Sequence, residues 1–166
     1  MGMRDDMMKP KKQNLEEDSN RGSTNLGRLF IHLQRLEKSP RTFGEVGPLT
    51  PSEIHTIDAI GLGEGILMSE LAGRLCVTKG AVTQIVKRLE AKEFVKRSPH
   101  PSDSRSILIA LKEKGRIAYQ VHKEEHLNFY HQLRAQLGQH EIEVFETVIE
   151  KLNDSLGAEE RKKPRA

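Results

Sequence analysis

"VTKGAVTQIVKRLEAKEFVKRSPHPSDSR", residues 77–105, holds two kinds of chain in immediate succession. From Thr78 onward Val82, Ile85, Val86 and Leu89 recur at intervals of three and four, the spacing of a helix with one apolar edge. The other edge carries long donors. Lys79, Thr83 and Lys87 lie four apart and share a face, with Gln84 beside them. Phe94 and Val95 then open an extended segment, Pro99 and Pro101 punctuate a turn, and Ile107, Ile109 and Leu111 alternate along a second strand. A donor-bearing helix running straight into a basic hairpin is the feature to explain.

The flanking segments supply the frame. "GEGILMSELAGRLCV" (63–77) predicts a brief extended piece at Ile66–Leu67 and a short helix from about Ser69 to Leu75, only a short break ahead of the donor helix. "LTPSEIHTIDAIG" (49–61) reads as a helix with Thr50 as N-cap, Pro51 in the first helical position, Glu53 completing a capping box and Gly61 at the end. Further upstream Leu26, Leu29, Phe30, Leu33 and Leu36 stripe an amphipathic helix over about 21–39, ended by Pro40 and the Gly/Pro-containing stretch behind it. Downstream a long helix runs from about Glu113 to Leu137. Another runs from about Gln139 to Leu156, striped by Ile142, Phe145, Val148, Ile149 and Leu152. The expected fold is mainly α with a small β-hairpin, a winged helix-turn-helix. Its parts are a flexible N-terminal tail over 1–20, one domain over 21–157 with the winged element at about 48–112, flanking helices at about 21–39 and 113–157, and a charged tail over 158–166.

Composition narrows the function classes. The 166 residues suit one domain, 31% are charged, and no run of about 18 apolar residues exists to span a membrane. The first twenty residues lack the apolar stretch of a signal peptide, and Gly2 lacks the downstream hydroxyl of a myristoylation signal. A single cysteine, Cys76, leaves no internal disulfide and is read as a small buried residue rather than a redox thiol. A cytoplasmic protein is the economical expectation. Between Thr78 and Lys112 eight cations face three anions, an excess of five that exceeds the whole chain's +3, so the remainder is slightly acidic. A local cationic surface on such a body is what a polyanion partner requires, although a solvated charged face would look the same from charge alone.

The donors fit double-stranded DNA. A recognition helix places its N-terminal turns in the major groove, where Lys79, Thr83 and Lys87 would meet base edges or phosphates and Gln84 can pair with adenine. Gly80 permits close approach at the tip. Ser69 and Thr78 are read as openers of helices whose free N–H groups and positive dipole ends suit phosphates. The hairpin would lie along the minor groove, with Arg105 inserted, Asp103 pinning its geometry by a charge-assisted hydrogen bond and Arg97 adding charge. The alternative for each is a solvated residue or a packing element.

These segments together resemble the MarR-type (multiple antibiotic resistance regulator) winged-helix family over roughly residues 26–156. The most specific parts are "LCVTKGAVTQIVKRLE" (75–90) and the D-x-R wing at Asp103–Arg105. The resemblance implies a homodimeric bacterial or archaeal transcription factor, dimerising through its first and last helices and reading a pseudo-palindromic operator. The apolar stripes of those helices support pairing independently. Three positions depart from the family's pattern: Ser104 stands where Arg is common in the wing, with His100 as a substitute contact; Lys112 stands where a Thr caps the next helix; and Cys76 stands where Gly is common.

A sensor site is less sharply drawn. In "AYQVHKEEHLNFYHQL" (118–133) His122 and His126 share a helical stripe with Tyr119 and Tyr130. Two imidazoles four apart can hold a metal. Since the family packs the second helix near the long one, His55 would complete a zinc site of His55, His122 and His126, as in zinc-responsive relatives. The same motifs equally resemble fatty-acid-synthesis repressors of the family. In that reading Leu29, Leu33, His55, Ala59, Tyr119, His122 and His126 line or gate a pocket for a small-molecule or acyl effector. The third reading has hydrogen-bonded histidines and no ligand, and no cofactor is required for DNA binding. An enzyme is disfavoured because H-E-x-x-H, a Gly-rich phosphate loop and G-x-S-x-G are all missing. A protein-interaction winged helix would have no use for four projecting donors.

Overall fold

A computed structural model describes residues 12–36 and 40–162; the readings placed on 1–11, 37–39 and 163–166, and on the side chains of Leu36 and Ser104, lie outside the described residues. The chain divides after Ser39 into two units.

The first unit is α1 (Lys12–Leu36), a helix that starts well inside the stretch expected to be a flexible tail. Helix formers at Gln13, Leu15, Glu16 and Glu17 carry it backwards, since no Pro or Gly follows Pro10 until Gly22. Leu26, Leu29, Phe30 and Leu33 are exposed along it.

The second unit opens with a small antiparallel pair, β1 (Arg41–Thr42) and β2 (Pro48–Leu49), joined through a 3-10 turn at Gly44–Val46 that seats Phe43 and Val46 in the core. Helix α2 (Pro51–Ile60) follows. Thr50 caps it as expected: its hydroxyl accepts from the Glu53 N–H at 3.3 Å, and the Glu53 carboxylate accepts from the Thr50 N–H at 2.9 Å. Then come β3 (Ile66–Leu67), α3 (Met68–Arg74), α4 (Lys79–Ala91), β4 (Val95–His100), β5 (Asp103–Leu111), α5 (Glu113–Gln136) and α6 (Gln139–Lys162). The three longer-range strands form one antiparallel sheet in the order β3-β5-β4.

The periodic residues become the core. Ile54 and Ile57 of α2, Leu71 of α3, Val82, Val86 and Leu89 of α4, and Ile109 and Leu111 of β5 are all buried, together with Phe94. The apolar side of α4 is therefore spent on packing, and its polar side faces out. Ile107 is the exception on β5 at 46% exposure, because the distal hairpin reaches past the helices that cover Ile109 and Leu111.

Other expectations are corrected. The N-cap of α3 is Leu67, without a side-chain cap, so Ser69 sits inside the first turn rather than opening it; β3 feeds directly into that helix. Cys76 is exposed, with φ +52, because the tight turn between α3 and α4 needs a left-handed residue there. Helix α6 continues through Lys162, beyond the expected end at 157, since Glu159, Glu160, Arg161 and Lys162 are all helix formers ahead of Pro164.

Candidate nucleic-acid interface

The outward side of α4 is built by its caps and its inner stripe. The Thr78 hydroxyl accepts from the Ala81 N–H at 3.2 Å and starts the helix at Lys79. With Val82, Val86 and Leu89 buried, Lys79, Gln84 and Lys87 are left exposed. Thr83 is half-buried and its hydroxyl donates to the Lys79 carbonyl at 2.7 Å, so it offers only acceptor capacity outward. A Cβ added at Gly80 would meet nothing closer than the Thr78 hydroxyl at 3.9 Å, which leaves the tip of the helix open to a partner. Ser69 is exposed on α3.

The wing is braced from within. One Asp103 carboxylate oxygen accepts the Arg105 backbone N–H at 3.0 Å and the other accepts the Ser106 hydroxyl at 2.5 Å. These bonds hold the Asp103 carboxyl below its usual pKa. The expected charge-assisted bond to the guanidinium is thus replaced by one to the backbone: Asp103 shapes the turn, and Arg105 stays exposed with no ion pair among the described residues. His100 closes the same turn, its Nδ1 accepting from the Ser102 N–H at 3.2 Å, which places the neutral ring's proton on Nε2. Arg97 turns toward α4 instead of outward, its Nε lying 3.0 Å from a Glu90 carboxylate oxygen, and so ties wing to helix.

One residue pair was not legible locally. Glu53 is 1% exposed, and both its carboxylate oxygens accept from Lys92 Nζ, at 2.7 and 2.9 Å. The capping-box signal marks Glu53 only as a helix starter, and nothing in the sequence points to a partner 39 residues away.

The histidines do converge. The His122 ring lies 4.2 Å from that of His126, 6.0 Å from that of His55, and edge-on to Phe43 at 5.7 Å. His122 is buried, and neither ring nitrogen has a hydrogen-bond partner among the described residues; His55 and His126 are exposed. Ala59 and Tyr119 pack at the edge of the core, whereas Leu29 and Leu33 belong to the first unit. Among the described residues no group of three His, Cys, Asp or Glu side chains is arranged to hold a metal ion.

Burial, reinforced by the neighbouring His126 and His55 and opposed by Asp58 and Glu125, keeps the His122 pKa below the ordinary 6.5. The unfolded chain therefore takes up a proton at about pH 6.5 that the folded chain refuses. The stabilising difference is complete above that value and is lost as pH falls through it toward the folded pKa. The urea midpoint is expected to drop between about pH 7.5 and about pH 5.5, and His122→Leu is expected to flatten that slope. An unchanged slope in the variant would show that other groups set it.

Comparisons with known proteins agree with this geometry. The MarR family profile matches residues 49–107. The multiple antibiotic resistance protein MarR of Escherichia coli is 30% identical over 130 residues, covering 76% of this chain and 90% of that protein. Streptococcus pneumoniae FabT, solved in complex with DNA, superposes with a TM-score of 0.73 at 26% identity over 83% of this chain and 96% of that one. A mutant of Escherichia coli MarR complexed with operator DNA superposes with a TM-score of 0.59 at 26% identity, covering 77% of this chain and 93% of that one.

Proposed function

Because the chain belongs to the MarR family, we propose that two copies pair through their first and last helices and read a pseudo-palindromic operator, one α4 in each major groove. It is a DNA-binding transcriptional regulator and not an enzyme. The carrying observation is the joint exposure of Lys79, Gln84 and Lys87 on one side of α4, next to a wing whose Asp103 braces the Arg105 backbone. Pairing is supported by the exposed apolar stripes, Leu29, Phe30 and Leu33 on α1 and Val148, Leu152 and Leu156 on α6, which one copy leaves in water.

The regulator acts in the cytoplasm as a repressor released by a small-molecule or acyl effector at the His122 cluster, where two ring nitrogens without a hydrogen-bond partner among the described residues stand ready to bond a polar group. No helix among the described residues is long and apolar enough to cross a membrane. Selection of bound fragments from random duplex DNA, with and without acyl ligands, tests the whole reading. Half-site centres are expected about 10 base pairs apart, or at a multiple of that. Gln84→Ala is expected to relax base preference at one position by about 1 kcal/mol. Lys87→Ala is expected to weaken all sequences alike and to lower the salt slope by about 0.9 for each phosphate left without its cation. Indistinguishable effects of the two substitutions would overturn the roles assigned to them.

A further inference from the structure

We propose that Glu53 is a positioning residue for the recognition helix, holding the C-terminal end of α4 at a set angle through Lys92 and Arg88; the proposal rests on α4 being the element that reads DNA. Glu53 belongs to α2, yet its carboxylate is turned to the far end of α4. Lys92, the C-cap of α4, donates to both oxygens at 2.7 and 2.9 Å, and Arg88, one turn earlier, has its Nε 3.9 Å away. The remaining acceptor capacity is taken by the Thr50 N–H and hydroxyl at 2.9 and 3.1 Å.

Capping α2 does not require this charge. A neutral amide at position 53 would accept the Thr50 N–H equally well. A carboxylate that is 1% exposed is instead an expensive group to bury, tolerated only when its partners are fixed in place. Burial pushes the Glu53 pKa up, but Lys92 and the two Thr50 bonds outweigh it, so the group stays ionised and the pair stays intact at neutral pH. A pair whose carboxylate is buried in this way contributes little net stability and much geometric definition.

The place of the pair gives that definition a use. The helix spans 13 residues from Lys79 to Ala91, about 20 Å at 1.5 Å per residue, with Lys79 at its first position, Gln84 near its middle and the ion pair at its far end. A tilt of about 10° at the anchored end would carry the tip roughly 3 Å and Gln84, about 12 Å from the anchor, roughly 2 Å, enough to break direct base contacts while phosphate attraction persists. The same junction is tied to α5, where the Lys92 carbonyl accepts from Lys114 Nζ at 3.3 Å.

Lys92 could otherwise be read as a phosphate contact in its own right, since its side chain is 43% exposed. The test separates the two. Full-length wild type, Glu53→Gln, Lys92→Met and the double variant are compared on a selected operator and on a scrambled duplex of equal length, across a salt series, with thermal melts alongside. Glu53→Gln and Lys92→Met are each expected to weaken operator binding about tenfold, the double variant no more than either, with the scrambled duplex and the salt slope unchanged. Lys92→Arg is expected to retain operator binding, because it keeps the pair. Operator affinity unaltered in folded Glu53→Gln would overturn the proposal. So would a Lys92→Met loss that is equal on both duplexes and accompanied by a shallower salt slope. If Glu53→Gln does not fold, the Lys92 variants carry the test alone. Wild type that bound neither duplex would overturn the DNA-reading role of α4, a result distinct from wild type that binds and Glu53→Gln that matches it.

Discussion

Gly115→Ala is expected to destabilise the protein by about 3 kcal/mol and to lower the melting temperature by roughly 10 °C. Gly115 lies buried in the first turn of α5, and a Cβ there would sit 2.2 Å from the Phe94 carbonyl oxygen. That oxygen cannot step aside freely. It accepts the Lys112 N–H at 2.9 Å, and the Phe94 N–H is bonded to the Leu89 carbonyl at 2.9 Å, in the turn that ends α4 with Glu93 at φ +65. Moving Phe94 therefore disturbs the start of α5, the end of α4 and a side chain that is itself 1% exposed. A melt by circular dichroism measures the loss. A change under about 0.5 kcal/mol would mean that this junction is far softer than its hydrogen bonds imply.

Operator binding by a dimer carrying Arg105→Ala is expected to be about 100-fold weaker, close to tenfold for each copy of the wing. The guanidinium is exposed on β5, has no ion pair among the described residues, and is presented by a turn that Asp103 and Ser106 hold shut. An arginine in a narrow minor groove sheds its water more readily than a lysine and senses the groove's concentrated potential, so Arg105→Lys is expected to recover only part of the loss. Asp103→Ala is expected to lose less than Arg105→Ala, because it loosens the backbone and leaves the charge in place. Titrations on operators with A·T-rich and G·C-rich flanks discriminate. A loss that is equal on both, with a shallower salt slope, would assign Arg105 to phosphate rather than to the groove.

Arg97 and Arg105 show how far local chemistry reaches. Sequence marks both as cations of a basic hairpin, and both are. Strand alternation and Glu90 on α4 turn Arg97 back against the domain, while Arg105 lies near the tip, where the protein offers no acidic partner among the described residues to capture it. The histidines divide similarly. Spacing of four puts His122 and His126 on one stripe, but the burial of His122 depends on Phe43, which enters from a turn far away in sequence.

Features set by interactions within a few residues were legible from the chain alone: the apolar stripe of α4, the Thr78 and Thr50 caps, the hairpin alternation, and with them the winged-helix order and the outward placing of Lys79, Gln84 and Lys87. These depend on side-chain spacing along a single helix or strand, which sequence states directly. Tertiary structure alone decided which of the basic residues stayed in solvent, that Cys76 would be exposed in a left-handed turn, that Gly115 would lie against the Phe94 carbonyl, and that Glu53 would find Lys92. Each of those is a matter of which distant atoms fill the neighbouring volume, and burial and ion pairing act through space between residues whose separation along the chain carries no periodic signal.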